Sequence, residues 1–141
     1  MQFECKNYIV ECGCFKGASS VVLSIFSKIT DRKLIIYDSF QGLPADEDKI
    51  SFRYYPHLKV TGKYDIGMYK GAKEEVITNL KNFGEYDACI LREGFFKDSM
   101  KTHKEKIDFL FLDVDLLEST KDCIVNLWNF LEDEKYVFSD D

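Results

Sequence analysis

Two pairs of aspartates near the end of the chain could carry chemistry together. Asp113 and Asp115 follow the apolar run IDFLFL, and Asp140 and Asp141 follow YVFS. Grouped carboxylates suit a hard divalent cation such as Mg²⁺, which keeps several waters or substrate oxygens in its shell. We therefore expect Asp113, Asp140 and Asp141 to bind Mg²⁺, and Asp113 or Asp115 to accept a proton. The alternative is a frayed acidic tail at the last two positions and a helix cap at Asp113.

A second group lies in the segment VECGCFKGASS, residues 10 to 20. Gly13 removes the side chain where a strand turns, and Gly17 lets the following helix pack closely, so the helix N-terminus offers N–H groups to a ligand. The spacing E-x-G-x-x-x-G differs from the G-x-G-x-x-G of pyrophosphate binders. Asp38, at the end of the next predicted strand, stands where an acid accepts hydrogen bonds from ribose hydroxyls. Together these residues predict an adenosine-containing cofactor; the alternative is a tight strand–helix turn without a ligand.

Cys12 and Cys14 lie in the same segment and raise the question of a metal or redox pair. On a continuing strand their side chains point to opposite faces, and a zinc site would need two more Cys or His ligands. The sequence holds only two histidines. We interpret the cysteines as small buried thiols. His103 is expected on the surface of a polar helix, and His57 in a stretch where a substrate loop would form.

The elements that must position these residues alternate between strand and helix. Five predicted strands alternate with four predicted helices, which indicates an α/β fold with a doubly wound, mainly parallel sheet and helices on both faces. Right-handed crossovers give the strand order 3-2-1-4-5. Residues 50–71 show no clear period. The strands are NYIVEC, KLIIYD, DACILREG, IDFLFLDVD and YVFSDD, and the helices are ASSVVLSIFSKIT, AKEEVITNLKNFG, FFKDSMKTHKEK and STKDCIVNLWNFLEDE.

An acidic residue stands at or just after the end of each predicted strand. Strand one ends at Glu11 and strand two at Asp38, and Glu93 lies at the end of strand three. Parallel strands place their carboxyl ends at one edge, and ligands bind there where the strand order reverses. Because like charges repel, a cation or ligand groups would stabilise this edge. The sequence thus predicts a ligand site between strands one and four.

The composition limits the classes of partner. A chain of 141 residues with 45% hydrophobic side chains is enough for one domain, residues 1–141, with a packed core. Its net charge of -6 disfavours nucleic acid as a partner. No apolar run approaches the roughly 20 residues that cross a bilayer, and the first residues lack the pattern of a secretory signal. Five cysteines without regular spacing fit reduced thiols. We expect a soluble cytoplasmic protein without a membrane partner.

Six segments together resemble the macrocin O-methyltransferase family: VECGCFKGASS, IIYDSFQGLP, YKGAKEEVITNL, REGFFKDSM, IDFLFLDVDLLEST and VFSDD. The similarity runs from about residue 8 to residue 141, and DSFQGLP and the DVDLLEST–SDD pair are its most specific parts. The resemblance implies a Rossmann-like methyltransferase fold and S-adenosylmethionine as cofactor. It also implies transfer of a methyl group to a hydroxyl of a sugar or a sugar-containing small molecule.

The resemblance also implies roles for particular residues. The metal ligands match Asp113, Asp140 and Asp141. Leu117 stands where the family usually has Tyr, and members of the family continue beyond SDD and carry a segment before the glycine motif, so we expect the chain to represent a core of the family's domain. The expected cofactor contacts are Glu11, Gly13, Phe15, Gly17, Asp38, Ser39, Glu93 and Gly94.

Two other functions fit parts of the sequence. DVD on an apolar strand matches the D-x-D metal motif of nucleotide-sugar glycosyltransferases, although that function explains neither the glycine segment nor Asp38. A cofactor-binding unit that does not catalyse a reaction by itself is the other alternative. Whatever the function, the uncovered edge of the fifth strand would invite pairing with a second copy of the chain.

Overall fold

Short runs of apolar and β-branched residues form the strands, because such side chains favour buried, pleated surfaces. The computed structural model describes residues 7–46, 52–55 and 60–140. No helix within these ranges combines the length and apolarity that a membrane span requires. The strands are β1 (Tyr8–Cys12), β2 (Leu34–Asp38), β3 (Phe52–Tyr55), β4 (Val60–Lys63), β5 (Cys89–Glu93), β6 (Ile107–Leu112) and β7 (Leu131–Ser139), and the helices are α1 (Ala18–Ile29), α2 (Lys73–Phe83), α3 (Phe96–Ser99) and α4 (Leu117–Leu127).

The main sheet is parallel and has the order β5-β2-β1-β6-β7. Its strands are the five predicted from the sequence, so the predicted order 3-2-1-4-5 is confirmed. The order reverses at β1, which pairs with β2 on one side and with β6 on the other. The carboxyl ends of β1 and β6 therefore meet at the switch point where ligands of such sheets bind.

Three segments differ from the predicted elements. The third helix was expected over residues 95–106, but α3 ends at Ser99 and only a short 3-10 turn, Met100–Thr102, follows it. The last helix was expected to reach Glu134, but α4 ends at Leu127 and β7 begins at Leu131. Leu131 pairs with Ile107 of β6 and packs on the core, so sheet pairing outweighs the helix propensity of this stretch. In the stretch without a clear period, β3 and β4 form a separate antiparallel ribbon. His57 lies outside the described residues.

Two apolar layers cover the sheet. Residues of β1 alternate between them: Ile9 packs with α1 and α2, whereas Val10 packs with α3 and α4. Cys12 and Cys14 are buried free thiols, and burial raises the pKa of Cys14 above its ordinary value. Their interpretation as buried thiols is confirmed. At the edge of the sheet, Tyr136 of β7 is 73% exposed, and pairing of this edge with a second copy stays a prediction.

Helix α1 turns small polar residues towards the sheet. Ser20, Ser24 and Ser27 are fully buried, whereas Val22 is 66% and Ile29 is 77% exposed. Small side chains on the inner face allow a close approach between helix and sheet. Their hydroxyls then need partners, because an unpaired buried polar group costs about 1–3 kcal/mol.

The prediction that His103 lies on the surface is wrong: the side chain is buried, with 5% of the residue exposed. Arg92 donates a hydrogen bond to the Tyr37 hydroxyl (2.7 Å), so this hydroxyl donates to His103 Nδ1 (2.9 Å). His103 Nε2 lies 2.8 Å from the carbonyl oxygen of Glu105, which requires the proton on Nε2. Burial lowers the pKa of His103; the hydrogen bond and the negative charge of Glu105 oppose this shift, and the positive charge of Arg92 adds to it. The lysines and acids around His103 predicted a surface helix, but the His103 side chain is buried against Tyr37.

We expect Ser27→Ala to stabilise the protein by about 1 kcal/mol, because the substitution removes an unpaired buried hydroxyl and raises helix propensity. Within the described residues, Ser27 Oγ has no hydrogen-bond partner. Ser24→Ala is the matched control on the same helix face; its hydroxyl accepts from the N–H of Glu85, so its loss should destabilise. Urea unfolding measures both changes. Equal effects of the two substitutions would contradict this account.

We expect the stability of the wild type to decrease relative to His103→Asn as the pH falls below about 6.5, the ordinary pKa of histidine. Because the pKa of folded His103 is lowered, the unfolded state binds the proton more readily, and acid favours unfolding. Asparagine offers Tyr37 an acceptor and does not titrate. Thermal unfolding of both proteins between pH 5 and 8 measures the difference, and parallel curves would refute the role of His103.

Candidate functional site

A cavity of about 780 Å³ opens at the carboxyl ends of the strands of the main sheet. The segments that follow β1, β2, β5, β6 and β7 all contribute to its wall, as does the first half of α4. The lining residues are Gly13, Phe15, Asp38, Ser39, Gln41, Gly42, Leu43, Pro44, Ala45, Ile66, Tyr69, Gly94, Phe95, Phe96, Lys97, Asp113, Val114, Asp115, Glu118, Ser119, Asp122 and Asp140.

The loop after β1 depends on glycine at both of its ends. Gly13 has φ 82°, and a Cβ atom at this position would lie 2.0 Å from the carbonyl oxygen of Asp113. The ends of β1 and β6 can therefore lie against each other only without a side chain here. A Cβ atom on Gly17, at φ 88°, would lie 3.2 Å from Val76 of α2, which confirms the predicted close packing of the helix. Gly13 and Phe15 expose this loop to the cavity.

Asp38 connects the loop after β1 with the loop after β2. One carboxylate oxygen accepts from the N–H of Cys14 and the other from the N–H of Phe40, both at 2.8 Å. Ser39 next to it donates to the carbonyl oxygen of Gly42 (2.9 Å), which closes the second loop. Each oxygen of Asp38 keeps a further lone pair, so the carboxylate can also accept hydrogen bonds from ligand hydroxyls.

Glu11 is buried beneath the first turn of α1 and does not line the cavity. Its two oxygens accept hydrogen bonds from the hydroxyls of Ser19 and Ser20, each at 2.5 Å. Burial raises the pKa of Glu11 to about 7; the serine hydroxyls oppose this shift, and the negative charges of Asp38 and Asp113 add to it. The carboxyl group is therefore partly protonated near neutral pH.

The structure brings five of the eight expected cofactor contacts to the cavity wall. Glu11 and Gly17 lie behind it, and Glu93 forms an ion pair with Lys73 (2.9 Å) while 51% of its side chain is exposed. The contacts that line the cavity are Gly13, Phe15, Asp38, Ser39 and Gly94.

Asp113, Asp115 and Asp140 reach the same cavity from β6 and β7. The N–H of Asp113 donates to the carbonyl oxygen of Cys12, and that of Asp140 to the carbonyl oxygen of Leu112, both at 3.0 Å. These bonds extend the parallel pairing past the strand ends and fix where the two acids emerge. Asp141 lies outside the described residues. Among the residues that are described, no three His, Cys, Asp or Glu side chains are grouped as a metal site.

The sequence analysis did not predict the apolar part of the cavity wall. Phe95 and Phe96 follow Gly94. Leu43 and Pro44 belong to the segment DSFQGLP, in which the sequence assigned roles only to Asp38 and Ser39. Tyr69 comes from the stretch without a clear period; its ring meets that of Phe15 edge-on, with centroids 5.9 Å apart. Of the lining residues that the structure describes, Lys97 carries the only positive charge. The cavity can thus hold a ligand with a flat apolar part, hydroxyl groups and a positive charge.

Comparisons with known proteins identify relatives of the whole chain. Residues 3–141 match the family model described as Macrocin-O-methyltransferase (TylF). Demethyldecarbamoylnovobiocin O-methyltransferase of Streptomyces niveus is 30% identical over 139 residues, which span 94% of this chain and 52% of that protein. The 8-demethyl-8-(2,3-dimethoxy-alpha-L-rhamnosyl)-tetracenomycin-C 4'-O-methyltransferase of Streptomyces olivaceus is 29% identical over 143 residues, with the same shares of the two chains.

A solved structure has the same fold. The O-methyltransferase NovP superposes with a TM-score of 0.78 and 25% identity over 97% of this chain and 57% of that one. The chain thus spans about half the length of the curated relatives that it matches. Because the family model covers residues 3–141, nearly the whole chain, the chain belongs to the macrocin O-methyltransferase family.

Proposed function

We propose that this protein transfers a methyl group from S-adenosylmethionine to a hydroxyl of a sugar or a sugar-containing small molecule. The observation that carries the proposal is the composition of one cavity. The loop Gly13–Phe15 and Asp38 line it at β1 and β2, and Asp113, Asp115 and Asp140 line it at β6 and β7. Both relatives named above are O-methyltransferases, and the name of the second specifies a rhamnosyl group in its substrate.

The lining residues fit the chemistry of this cofactor. Asp38 can accept hydrogen bonds from the two ribose hydroxyls. The rings of Phe95 and Phe96 offer apolar surface to a flat adenine. The carboxylates of the wall favour a positively charged ligand through Coulomb attraction. When bound, the sulfonium supplies an electrophilic methyl group, so the protein mainly has to align the acceptor and remove its proton.

A carboxylate at the end of β6 is suited to take that proton. Asp113 and Asp115 both line the cavity, and either would accept the hydroxyl proton as the new carbon–oxygen bond forms, the sulfur–methyl bond breaks and S-adenosylhomocysteine is left. Alignment of the acceptor oxygen with the methyl carbon would supply about 7–11 kcal/mol of the reduction in the barrier.

The proposal includes a dependence on Mg²⁺. Asp113 and Asp140 provide carboxylate oxygens at one rim of the cavity, which are the donors that Mg²⁺ prefers. Asp141, the third predicted ligand, would complete the set. A cation held by these residues would lower the pKa of the acceptor hydroxyl.

The glycosyltransferase alternative finds less support in the cavity. A nucleoside diphosphate carries several negative charges, whereas the wall contains six carboxyl groups and Lys97. Even with a divalent cation, most of these acids would repel the phosphates. The alternative also gives no role to Asp38, whose two oxygens connect the loops after β1 and β2.

We expect S-adenosylhomocysteine to bind the wild type with micromolar affinity in calorimetry, and uridine diphosphate with Mg²⁺ not to bind measurably. Asp38→Asn should weaken S-adenosylhomocysteine at least tenfold, which is about 1.4 kcal/mol, because the amide replaces one acceptor oxygen. The control is Glu74→Gln, an exposed acid of α2. Binding of uridine diphosphate alone would contradict the proposal. Binding of S-adenosylhomocysteine without methyl transfer to any acceptor would favour the non-catalytic alternative.

We expect Asp140→Asn to lower Mg²⁺-dependent methyl transfer at least tenfold while cofactor binding stays unchanged, because the amide is a weaker ligand for the cation. Demethyldecarbamoylnovobiocin would be the first acceptor, and turnover is measured with and without a chelator. Asp133→Asn makes the same change at an exposed position of β7 and serves as the control. If a chelator leaves wild-type turnover unchanged, the metal is not required, although the methyl transfer itself stands.

A further inference from the structure

Glu11 is a carboxylate enclosed between the sheet and a helix. It occupies the middle strand of the main sheet, where it pairs with Ile36 on one side and Phe111 on the other. None of the residue is exposed, and its oxygens accept from Ser19 and Ser20 at 2.5 Å. The acid was expected to contact the cofactor, but the cavity wall does not include it.

A buried carboxylate lowers stability unless its contacts offset the loss of hydration. This loss is visible in the pKa of Glu11, which burial raises to about 7. In either protonation state the two carboxyl oxygens can stay hydrogen-bonded to the two serine hydroxyls, because a hydroxyl both donates and accepts. The contacts that offset the burial of Glu11 are therefore those to the first turn of α1.

Within the described residues, no side chain caps the first turn of α1; the residue before Gly17 is held from α2, where Asn79 Nδ2 donates to the carbonyl oxygen of Lys16 (2.8 Å). Gly17 precedes this turn in the left-handed conformation, with φ 88°. The N–H of Gly17 donates to the carbonyl oxygen of Cys14 (2.7 Å), so the position of the turn fixes the end of the loop. The beginning of the loop is fixed by the bond from the N–H of Cys14 to Asp38. Between these two anchors lies Phe15, which lines the cavity.

We infer that Glu11 is a positioning residue: through Ser19 and Ser20 it fixes the start of α1 and thereby the cavity-facing loop of residues 13–17, without touching the ligand. The inference rests on the proposed function for the identity of the ligand, but not for the contacts of Glu11. Two hydrogen bonds, rather than a negative charge, hold the turn in place. Glutamine can make both, because its amide oxygen accepts from one serine and its amide nitrogen donates to the other.

The test compares Glu11→Gln and Glu11→Ala with the wild type in two measurements. Hydrogen exchange of the ligand-free proteins reports on residues 13–20, and calorimetry reports the affinity for S-adenosylhomocysteine. We expect Glu11→Ala to speed exchange in 13–20 at least tenfold and to weaken binding at least tenfold. Glu11→Gln should stay within threefold of the wild type in both.

Three controls separate positioning from a general loss of stability. Leu127→Ala opens a cavity in the apolar layer on the other face of the sheet and should destabilise the protein without a local change in residues 13–20. Ser27→Ala lies on the same face of α1 as Ser20 and should leave binding unchanged. If Glu11→Ala does not fold, the double variant Ser19→Ala and Ser20→Ala removes the same bonds and should show the same effects.

Two outcomes would overturn the inference. One is that Glu11→Ala retains wild-type exchange in residues 13–20. The other is that Glu11→Gln impairs binding as much as Glu11→Ala, which would mean that the charge itself acts on the ligand. A wild type that does not bind S-adenosylhomocysteine would contradict the proposed function, and the exchange measurement would still decide the role of Glu11.

Discussion

The contact between the ends of β1 and β6 is the constraint on which the site depends. These strands pair in parallel at the point where the sheet order reverses. The segments that follow β1 and β6 must therefore emerge side by side. Gly13 makes this possible, because any side chain there would overlap the carbonyl oxygen of Asp113. The glycine loop and the acidic rim thus become adjacent parts of the wall of one cavity, at the place where doubly wound sheets bind ligands.

The charges at this edge follow from the same contact. Parallel pairing collects Glu11, Asp38 and Asp113 at the carboxyl ends of three adjacent strands, and their mutual repulsion contributes to the raised pKa of Glu11. The fold reduces the repulsion because each carboxyl group has different partners. Asp38 accepts two backbone N–H groups, Glu11 is enclosed with two serines, and Asp113 faces the cavity. A cationic ligand would be attracted mainly by acids that face the cavity, as Asp113 does.

The sequence predicted the parts of the fold that depend on local patterns. Apolar runs such as IDFLFL mark the central strands, and the alternation with helices determines the sheet order. Contacts between distant residues escaped prediction. His103 is buried because Tyr37, 66 residues away along the chain, provides its partner. Strand β7 begins three residues before the end of the predicted helix because Leu131 pairs with β6. Much of the apolar lining, including Leu43, Pro44 and Tyr69, comes from loops whose conformation carries no periodic signal.

For the site, the sequence identified the acids but not what each one does. Position at a strand end predicts that a side chain is near the ligand edge, yet the side chain of Glu11 is buried under α1, whereas Gly13, just past the end of β1, lines the cavity. The two serines of the first helical turn contained the missing information, because small hydroxyl residues on the inner face of a helix need a polar partner on the sheet beneath. A buried acid that is hydrogen-bonded to two helix serines stabilises the site without lining it. A strand-end acid without such serine partners is the better candidate for contact with the ligand.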